Sequence, residues 1–255
     1  MIMMVMGVGR PGIIKIKVTI AAEEVCAALT VYHPSESTAR SHEIYFCELP
    51  SPLGLLPLLD AGIILRVRRH PASSGDVTVK LRPCQPSQLS GQWSTFRGSP
   101  HHQLRIKGEW AHDRRVLAAS LVCRVPGDHL RQALQSRAHN PGQLFSTRQR
   151  RYLAQCTTID VNLDHLYLFG PVTAQRWRLR EPRYDITAER WTVLTTSGTP
   201  GPDLLELSVT AEPEDAALVQ PAFLASIRRR GIDPYAYQQT KTRHVLQYLT
   251  TLASM

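Results

Sequence analysis

Hydrophobic and polar positions alternate along several short segments of the chain, which is the period of a β-strand with one buried face. The clearest segment is GIIKIKVTI at residues 12–20, where Lys15 and Lys17 share one face and isoleucine and valine occupy the other. The alternation returns in GIILRVRR, GDVTVKLRP, HQLRIKGEW, QRWRLRE, ITAERWTVL and LLELSVTA. These segments predict a protein built mainly from strands, about eight in number.

Segments of helical character are fewer. AAEEVCAALT follows the first strand, and GDHLRQALQSRA has Asp128 as a candidate helix cap. Two more helical segments, about residues 213–230 and 238–253, close the chain, and Pro221 interrupts the first. Because no long linker or repeat divides the chain, we expect one α+β domain over residues 1–255.

The charged faces of the strands carry the main functional signal. In an extended segment residues i and i+2 point the same way, so two cations at that spacing share a face. Five strand segments have such pairs: Lys15 with Lys17, Arg66 with Arg68, Lys80 with Arg82, Arg105 with Lys107, and Arg176 with Arg178. For any one strand a solvated outer face explains the pair. If the strands close into a barrel with these faces inward, the interior becomes a cationic channel that requires an anion.

The composition also favours an anionic partner. The formal net charge is +9, and only five of the thirty basic residues are lysine. Arginine grips phosphate oxygens in pairs, although codon usage explains the same bias equally well. The five cysteines are too widely spaced for a zinc knuckle or a disulfide framework, which favours a reducing cytoplasm. The apolar opening MIMMVMGV is too short to span a bilayer and lacks the features of a secretory signal, so no membrane association is expected.

Taken together, several segments resemble the CYTH domain, also called the triphosphate tunnel metalloenzyme fold. They are IYFCELPSPLGLLPLLDAGIILRVRR, TVKLRP, LELS and QTKTRHVLQYL, and they occur in order between about residues 13 and 250. The most specific part is the spacing of Asp60, Gly62, Leu65, Arg66 and Arg68, followed by T-x-K-x-R. The resemblance implies an eight-stranded antiparallel closed β-tunnel with helices outside, in which basic residues bind triphosphate and carboxylates hold a divalent metal.

The resemblance carries over to the phosphate-binding residues of two strands. Arg66 and Arg68 match one of these strands, and Lys80 and Arg82 match the next. On the same inward faces, Arg105, Lys107, Arg176 and Arg178 are further candidates for substrate binding.

The metal-binding residues of the family are largely replaced. Where its first strand carries E-x-E-x-K, this chain has Lys15, Lys17 and Thr19, and on the last strand Glu206 remains while Ser208 replaces its acidic neighbour. Glu109, Glu189 and Glu206 are the remaining candidates for a Mg²⁺ or Mn²⁺ site. Ammonium groups can neutralise phosphate charge, but they do not activate water as a metal does. We therefore expect anion binding to persist, whereas a requirement for metal is doubtful.

The leading hypothesis is an enzyme that acts on a di- or triphosphate ester or anhydride, with Lys15, Lys17 and Glu206 in catalytic roles. One alternative is a non-catalytic receptor for polyphosphate or a similar anion. Another is a lyase that releases diphosphate from an organic diphosphate such as a prenyl diphosphate, which would need an aromatic lining from Tyr45 and Trp191.

Nucleic-acid binding is disfavoured. The run of arginines at residues 228–230 could contact phosphates, but few aromatic residues accompany the cations of the strands. The expected partner is therefore a phosphorylated small molecule or polyphosphate, and the sequence makes no prediction of oligomeric state.

Overall fold

A computed structural model describes residues 11–51, 55–71, 74–135, 140–194 and 200–253. Within these ranges, nine strands form a closed barrel, and six α-helices and five short 3₁₀ helices accompany them. The strands are β1 (Ile14–Ile20), β2 (Arg40–Glu48), β3 (Ile63–Arg69), β4 (Gly75–Leu81), β5 (His102–Ala111), β6 (Arg114–Val125), β7 (Tyr167–Arg180), β8 (Asp185–Leu194) and β9 (Pro200–Ala211). The helices are α1 (Ala22–Tyr32), α2 (Pro57–Asp60), α3 (Gly127–Gln135), α4 (Thr147–Cys156), α5 (Ala216–Arg228) and α6 (Lys241–Ala253).

The barrel is closed and mixed. Its order is β1-β5-β6-β4-β3-β2-β7-β8-β9, and β9 pairs with β1 to complete the ring. All neighbouring strands are antiparallel except β1 and β5, which run parallel with Ile14 beside Gly108 and Lys17 beside Ala111. The predicted α+β barrel with outer helices is confirmed, but the prediction of eight antiparallel strands is wrong. Directions cannot alternate all the way around a ring with an odd number of strands, so nine strands require a parallel pair.

Apolar layers on the outside of the barrel fix the direction of the charged faces. Ile14, Ile16, Val18 and Ile20 of β1 are buried in a cluster that includes residues of α1 and α5. The alternate residues of β4, from Val77 to Leu81, are buried with residues of α3 and α4. Because side chains alternate across a strand, this burial turns the intervening lysines and arginines toward the barrel interior.

At one end, the barrel interior is apolar. Ile44 and Phe46 of β2 and Trp191 of β8 form a cluster with Val245 and Leu246 of α6. The rings of Phe46 and Trp191 lie 5.9 Å apart. The apolar side of α6 therefore packs across this end of the barrel.

The helices agree with the sequence except in detail. The first and the two C-terminal helical segments correspond to α1, α5 and α6, and Pro221 lies inside α5. Asp128 is in the first turn of α3, which begins at Gly127, so the prediction of a cap at Asp128 is wrong. The segment LFSTRQRRYLAQ, whose pattern is ambiguous between helix and strand, contains α4, and Ser146 caps this helix in a reciprocal pair with Gln149.

Two other expectations concern the cysteines and the membrane. All five cysteines are free, and Cys26 alone among them is exposed. Residues 1–10, which contain the apolar opening, lie outside the described ranges. In the part of the chain that is described, the helices are too short or too polar to cross a membrane.

Candidate functional site

All five lysines of the chain contribute to the barrel interior. Lys15 and Lys17 lie on β1, Lys80 on β4 and Lys107 on β5, each on the inward face of its strand. Lys241, the first residue of α6, is also buried there. All the lysines of the chain therefore lie in this interior, and the basic residues outside the interior are arginines.

Glu109 on β5 gathers three of the interior cations. The Nζ of Lys17 lies 2.7 Å from Glu109 Oε2, and the Nζ of Lys80 lies 2.5 Å from Glu109 Oε1. Arg82 Nη1 lies 3.3 Å from Oε2. The Glu109 side chain is only 9% exposed, and although burial opposes its charge, these cations hold its pKa well below the usual range. Glu109 is therefore an ionised carboxylate shared by three donors.

Lys80 is an interior lysine whose charge is weakly held. Burial lowers the pKa of Lys80 to about 7, and the nearby charges of Lys17 and Arg82 act in the same direction. The attraction of Glu109 only partly offsets these effects. An amine with a pKa near neutrality can exchange a proton with a bound group at physiological pH.

A second ion pair joins β1 to β9. Lys15 Nζ donates a hydrogen bond of 2.8 Å to Glu206 Oε1. Burial opposes both charges, but the attraction of Lys15, with Lys241 and Lys17, holds the pKa of Glu206 at about 2. The attraction of Glu206 and Glu189 raises the pKa of Lys15. Both groups are therefore charged at neutral pH.

Glu189 on β8 lies directly across the β8–β9 pair from Glu206. Trp191 Nε1 donates a 3.0 Å hydrogen bond to Glu189 Oε1, and Lys241 Nζ lies 3.8 Å from Oε2. Lys241 also donates to the Glu189 backbone carbonyl at 3.1 Å, and its Nζ lies 4.3 Å from the centre of the Trp191 ring. Although burial opposes the charge, Lys241 and a contact with His42 hold the pKa of Glu189 well below its usual range. The first turn of α6 thus supplies a cation to the site.

Arg66 and Arg68 of β3 flank Asp76 of β4. Arg68 forms two contacts with Asp76 Oδ2, through Nε at 3.0 Å and Nη2 at 2.9 Å. Arg66 Nη2 is 3.9 Å from Asp76 Oδ1, and the Nε of Arg66 is buried without a hydrogen-bond partner in the described structure. Arg68 is thus neutralised by a carboxylate, whereas Arg66 is only weakly paired.

Lys107 is the interior cation without an acidic partner. It is half-buried, and no carboxylate of the described ranges lies within 4 Å of its Nζ. Burial lowers the pKa of Lys107, and the charges of Arg105, Lys15 and Lys17 lower it further, while the attraction of Glu109 partly offsets them. A bound anion would relieve the remaining repulsion at this ammonium group.

The remaining candidate arginines are more exposed. Arg105 donates to Gln103 Oε1 at 2.7 Å, and Arg178 Nε lies 2.7 Å from Asp185 Oδ2 with 79% of its side chain exposed. Arg176, which is opposite Glu189 in the β7–β8 register, is also exposed. These three side chains can contribute to the positive electrostatic potential near the barrel, but they do not belong to the ion-pair network of the interior.

The carboxylates do not fit a divalent-cation site. Within the described ranges no three His, Cys, Asp or Glu side chains are grouped closely enough to hold a metal ion. Glu206 is paired with Lys15 and Glu109 with Lys17, Lys80 and Arg82, so ammonium and guanidinium groups take up the oxygen atoms that a metal would need. The pairing of these carboxylates with cations of the protein therefore does not suit Mg²⁺ or Mn²⁺.

The barrel is similar to solved structures, although its sequence matches no known family. No protein-family model and no curated protein sequence matches the chain. A candidate adenylate cyclase from Bacillus halodurans is similar over 92% of this chain and 98% of its own, with a TM-score of 0.57 and 14% identity. This chain shares its fold. At that identity the likeness shows the fold alone, and no family model confirms the resemblance to CYTH proteins.

Two more solved structures are similar at lower scores. A candidate adenylyl cyclase from Hippeastrum with a dominant triphosphatase activity is similar over 89% of this chain and 91% of its own, with a TM-score of 0.49 and 12% identity. A candidate adenylate cyclase from Vibrio parahaemolyticus is similar over 91% of this chain and 97% of its own, with a TM-score of 0.43 and 10% identity.

Some site residues were missed or misplaced by sequence reasoning. Tyr45 faces the outer apolar layer and donates to Glu43, so its neighbour Phe46 is the aromatic residue that faces inward with Trp191. Lys241 lies in the segment QTKTRHVLQYL and was not among the predicted site residues, because its spacing suits a helix face as well as a site. The interior position of His42 was missed because the segment before it has the composition of a loop, although His42, Ile44 and Phe46 continue one strand period.

Proposed function

We propose that this protein binds the di- or triphosphate group of a phosphorylated small molecule inside the barrel and acts on its phosphoanhydride or phosphate ester. The observation that carries the proposal is the excess of interior cations, and above all Lys107, which is half-buried among Arg105, Lys15 and Lys17 without a carboxylate partner in the described structure. An anion with several charged oxygens would relieve this repulsion. Lys80, Arg82, Arg66 and Arg68 extend the binding surface around Lys107.

The counter-charge for the phosphates comes from the protein itself. Lys15 and Lys17 already neutralise Glu206 and Glu109. We propose that bound phosphate oxygens share these ammonium groups with the carboxylates, so that binding requires no divalent cation. Because metal ions and fixed side-chain cations both favour a developing negative charge, the lysines can stabilise a departing phosphate.

Roles in a reaction follow from the protonation of the groups. The Lys15 pKa is raised and the Glu206 pKa is about 2, so Lys15 acts as a fixed positive charge and Glu206 as a fixed carboxylate that can orient a water molecule. Lys80, with a pKa of about 7, is suited to give a proton to the leaving oxygen. We assign Lys17 to the electrostatic set around Glu109.

A non-catalytic receptor is the second candidate. It is favoured by the ion pairs of Glu109 and Glu206, since a carboxylate held by ammonium groups is a weak base and a poor metal ligand. The lyase alternative has no such support, because Phe46 and Trp191 pack with α6 and are buried.

Metal-free binding of inorganic triphosphate tests the proposal. In excess EDTA we expect calorimetry to detect binding by the wild type. The K107A variant, which loses the unpaired ammonium, should bind triphosphate about tenfold more weakly than the wild type, or weaker still. Arg228→Ala removes a cation from the outer helix α5 and is the matched control, with unchanged binding expected. Absence of binding by the wild type, or an equal loss in R228A, contradicts the proposal. Phosphate release from the same ligand then separates enzyme from receptor.

The pH dependence of binding should reflect Lys80. Phosphate oxygens favour its ammonium form, so ligand binding raises a pKa that is about 7 in the free protein and causes uptake of a proton above pH 7. Affinity for triphosphate is therefore expected to fall as pH rises above 7, by up to tenfold per pH unit, in excess of any slope from the ligand itself.

The K80M variant is the reference for that slope, because methionine has a side chain of similar length but no ionisable amine. Calorimetry at several pH values in two buffers of different ionisation enthalpy counts the protons taken up. Equal slopes and equal proton counts in wild type and K80M would show that Lys80 does not titrate with the ligand.

A further inference from the structure

A cavity on the outer side of the barrel is separate from the ion-pair network of the interior. It has a volume of about 340 Å³ and lies between the turn that joins β5 to β6, the helix α5 and Tyr235. Leu224 of α5, which lines the cavity, also belongs to the apolar cluster that covers the outer face of β1. We call this space the outer cavity. Its volume is in the range of cavities that hold small molecules.

The β5–β6 turn and α5 together form one wall of the outer cavity. His112, in the turn, has a φ of 53°, a left-handed conformation at which hairpin turns usually have glycine or asparagine. Its backbone carbonyl accepts a hydrogen bond of 3.1 Å from Gln220 Nε2 on α5, and its ring centroid lies 5.6 Å from that of Tyr235. The turn is therefore tied to the helix, which gives the cavity a fixed wall.

Asp113 and Arg115 line the outer cavity with opposite charges that do not pair with each other. Within the described ranges, no cationic nitrogen lies within 4 Å of the Asp113 carboxylate, and no carboxylate oxygen lies within 4 Å of the Arg115 guanidinium. Arg115 donates a long hydrogen bond of 3.4 Å to Gln220 Oε1, and its guanidinium is 4.1 Å from the centre of the Trp110 ring. The contact with the ring orients the guanidinium and leaves most of its N–H donors available to a ligand.

An apolar surface completes the outer cavity. Pro221 and Leu224 line it from α5, about one helical turn apart, and Leu224 is buried. The ring of Tyr235 lines it as well and is held by the guanidinium of Arg228, which lies 5.1 Å from the ring centre. A ligand in the outer cavity therefore meets one positive group, one negative group and an apolar surface.

We propose that the outer cavity binds a free α-amino acid with an apolar side chain. The carboxylate of the ligand pairs with Arg115, its ammonium group pairs with Asp113, and its side chain packs on the apolar surface. Both charged groups of an α-amino acid are attached to one carbon atom, so they can reach two protein groups that are two residues apart. A ligand with a single charge, or a residue within a peptide, would leave Asp113 or Arg115 without a partner. This site lies outside the barrel interior and does not depend on the proposed function.

Calorimetry with L-leucine and L-phenylalanine tests the site. We expect the wild type to bind at least one of them saturably, with one molecule for each chain. Each amino acid is compared with the acid that lacks its ammonium group and with the amine that lacks its carboxylate, such as 3-phenylpropionate and 2-phenylethylamine. These analogues should bind about tenfold more weakly, because each loses one charge-assisted hydrogen bond.

Two variants test the position of the site. D113N and R115Q each remove one charge at the surface and should fold normally, and each should bind the amino acid about tenfold more weakly than the wild type. Arg114→Gln is the matched control, because Arg114 is an exposed neighbour that does not line the outer cavity, and its binding should be unchanged. Thermal unfolding followed by circular dichroism checks that all three variants are folded.

Several results would overturn this inference. They are failure of the wild type to bind either amino acid, equal affinity for an amino acid and its singly charged analogues, and wild-type affinity in D113N and R115Q. An equal loss of affinity in R114Q and R115Q would also overturn it, because net charge would then explain the effect. None of these results bears on binding of phosphate in the barrel interior, which is measured separately with inorganic triphosphate.

Discussion

The E109Q variant should lose about 3–5 kcal/mol of folding free energy, because it removes the carboxylate shared by three interior cations. Lys17, Lys80 and Arg82 would remain in the same enclosed space with no counter-charge, and the amide of glutamine cannot supply one. For a chain of this size we expect a fall in Tm of about 10 °C. Thermal and urea unfolding followed by circular dichroism, at pH 6 where the lysines are charged, measure the loss.

The effect of a ligand on the Tm of E109Q is a more specific measurement. If the cations of the Glu109 cluster bind phosphate, the anion replaces the missing carboxylate, and inorganic triphosphate should raise the Tm of E109Q by more than it raises the Tm of the wild type. At a ligand concentration of 100 Kd the linkage stabilises the folded state by about 2.7 kcal/mol. A destabilised E109Q that triphosphate does not rescue would separate the structural role of Glu109 from anion binding.

An exposed ion pair provides the comparison for E109Q. Asp128 contacts Arg131 at 3.1 Å on α3 with 82% of its side chain exposed, so D128N should change stability by less than about 1 kcal/mol. If D128N and E109Q lost equal stability, burial of the Glu109 cluster would not be the cause of the effect.

The strand faces were predictable because the information is local. Alternation in residues 12–20 is enough to place Lys15 and Lys17 opposite the apolar residues of β1, and the outer clusters then confirm which face is turned inward. The direction of each strand face depends on neighbours within a few residues, which the sequence displays directly. The closed barrel was implied only by the resemblance to CYTH proteins, because alternation does not show which strands pair.

The partners of the charges were not predictable, since each pair joins distant parts of the chain. Lys15 and Glu206 are 191 residues apart, and Lys17 and Glu109 are 92 apart. The parallel contact between β1 and β5 is equally remote and brings Lys15 level with Glu109. Lys241 reaches Glu189 only because α6 packs across one end of the barrel, an arrangement that no local pattern indicates.

The interior position of His42 was not predicted for a different reason, which is the polar composition of residues 33–42. The pattern there predicts a loop, whereas β2 begins at Arg40 and His42 lies in a strand between β3 and β7. Pairing of residues 40–42 with β7 overrides the weak local preference for a turn, since the ladder satisfies their backbone groups whatever the side chains are.

Reversal of the two lysines on β1 should convert metal-independent binding into metal-dependent binding. In the K15E/K17E variant the ammonium groups that hold Glu206 and Glu109 are replaced by carboxylates, and these two new acids face the same interior as Glu109, Glu189 and Glu206. In EDTA we expect affinity for triphosphate to fall at least a hundredfold, because two attractive charges become repulsive. Added Mn²⁺ should restore binding, since clustered carboxylates and phosphate oxygens are the ligands that such cations prefer.

The K15Q/K17Q variant distinguishes loss of lysine from gain of acid. It removes the same two ammonium groups without adding carboxylates, so binding should weaken in EDTA and Mn²⁺ should restore little of it. Mn²⁺ binding without triphosphate, followed by electron paramagnetic resonance, should appear in K15E/K17E and be absent from K15Q/K17Q and the wild type. Wild-type binding that already requires Mn²⁺, or equal rescue of both variants, would mean that Lys15 and Lys17 do not replace the metal charge. Because the pairs of Lys15 with Glu206 and Lys17 with Glu109 are the reason for metal independence, these variants test that geometry directly.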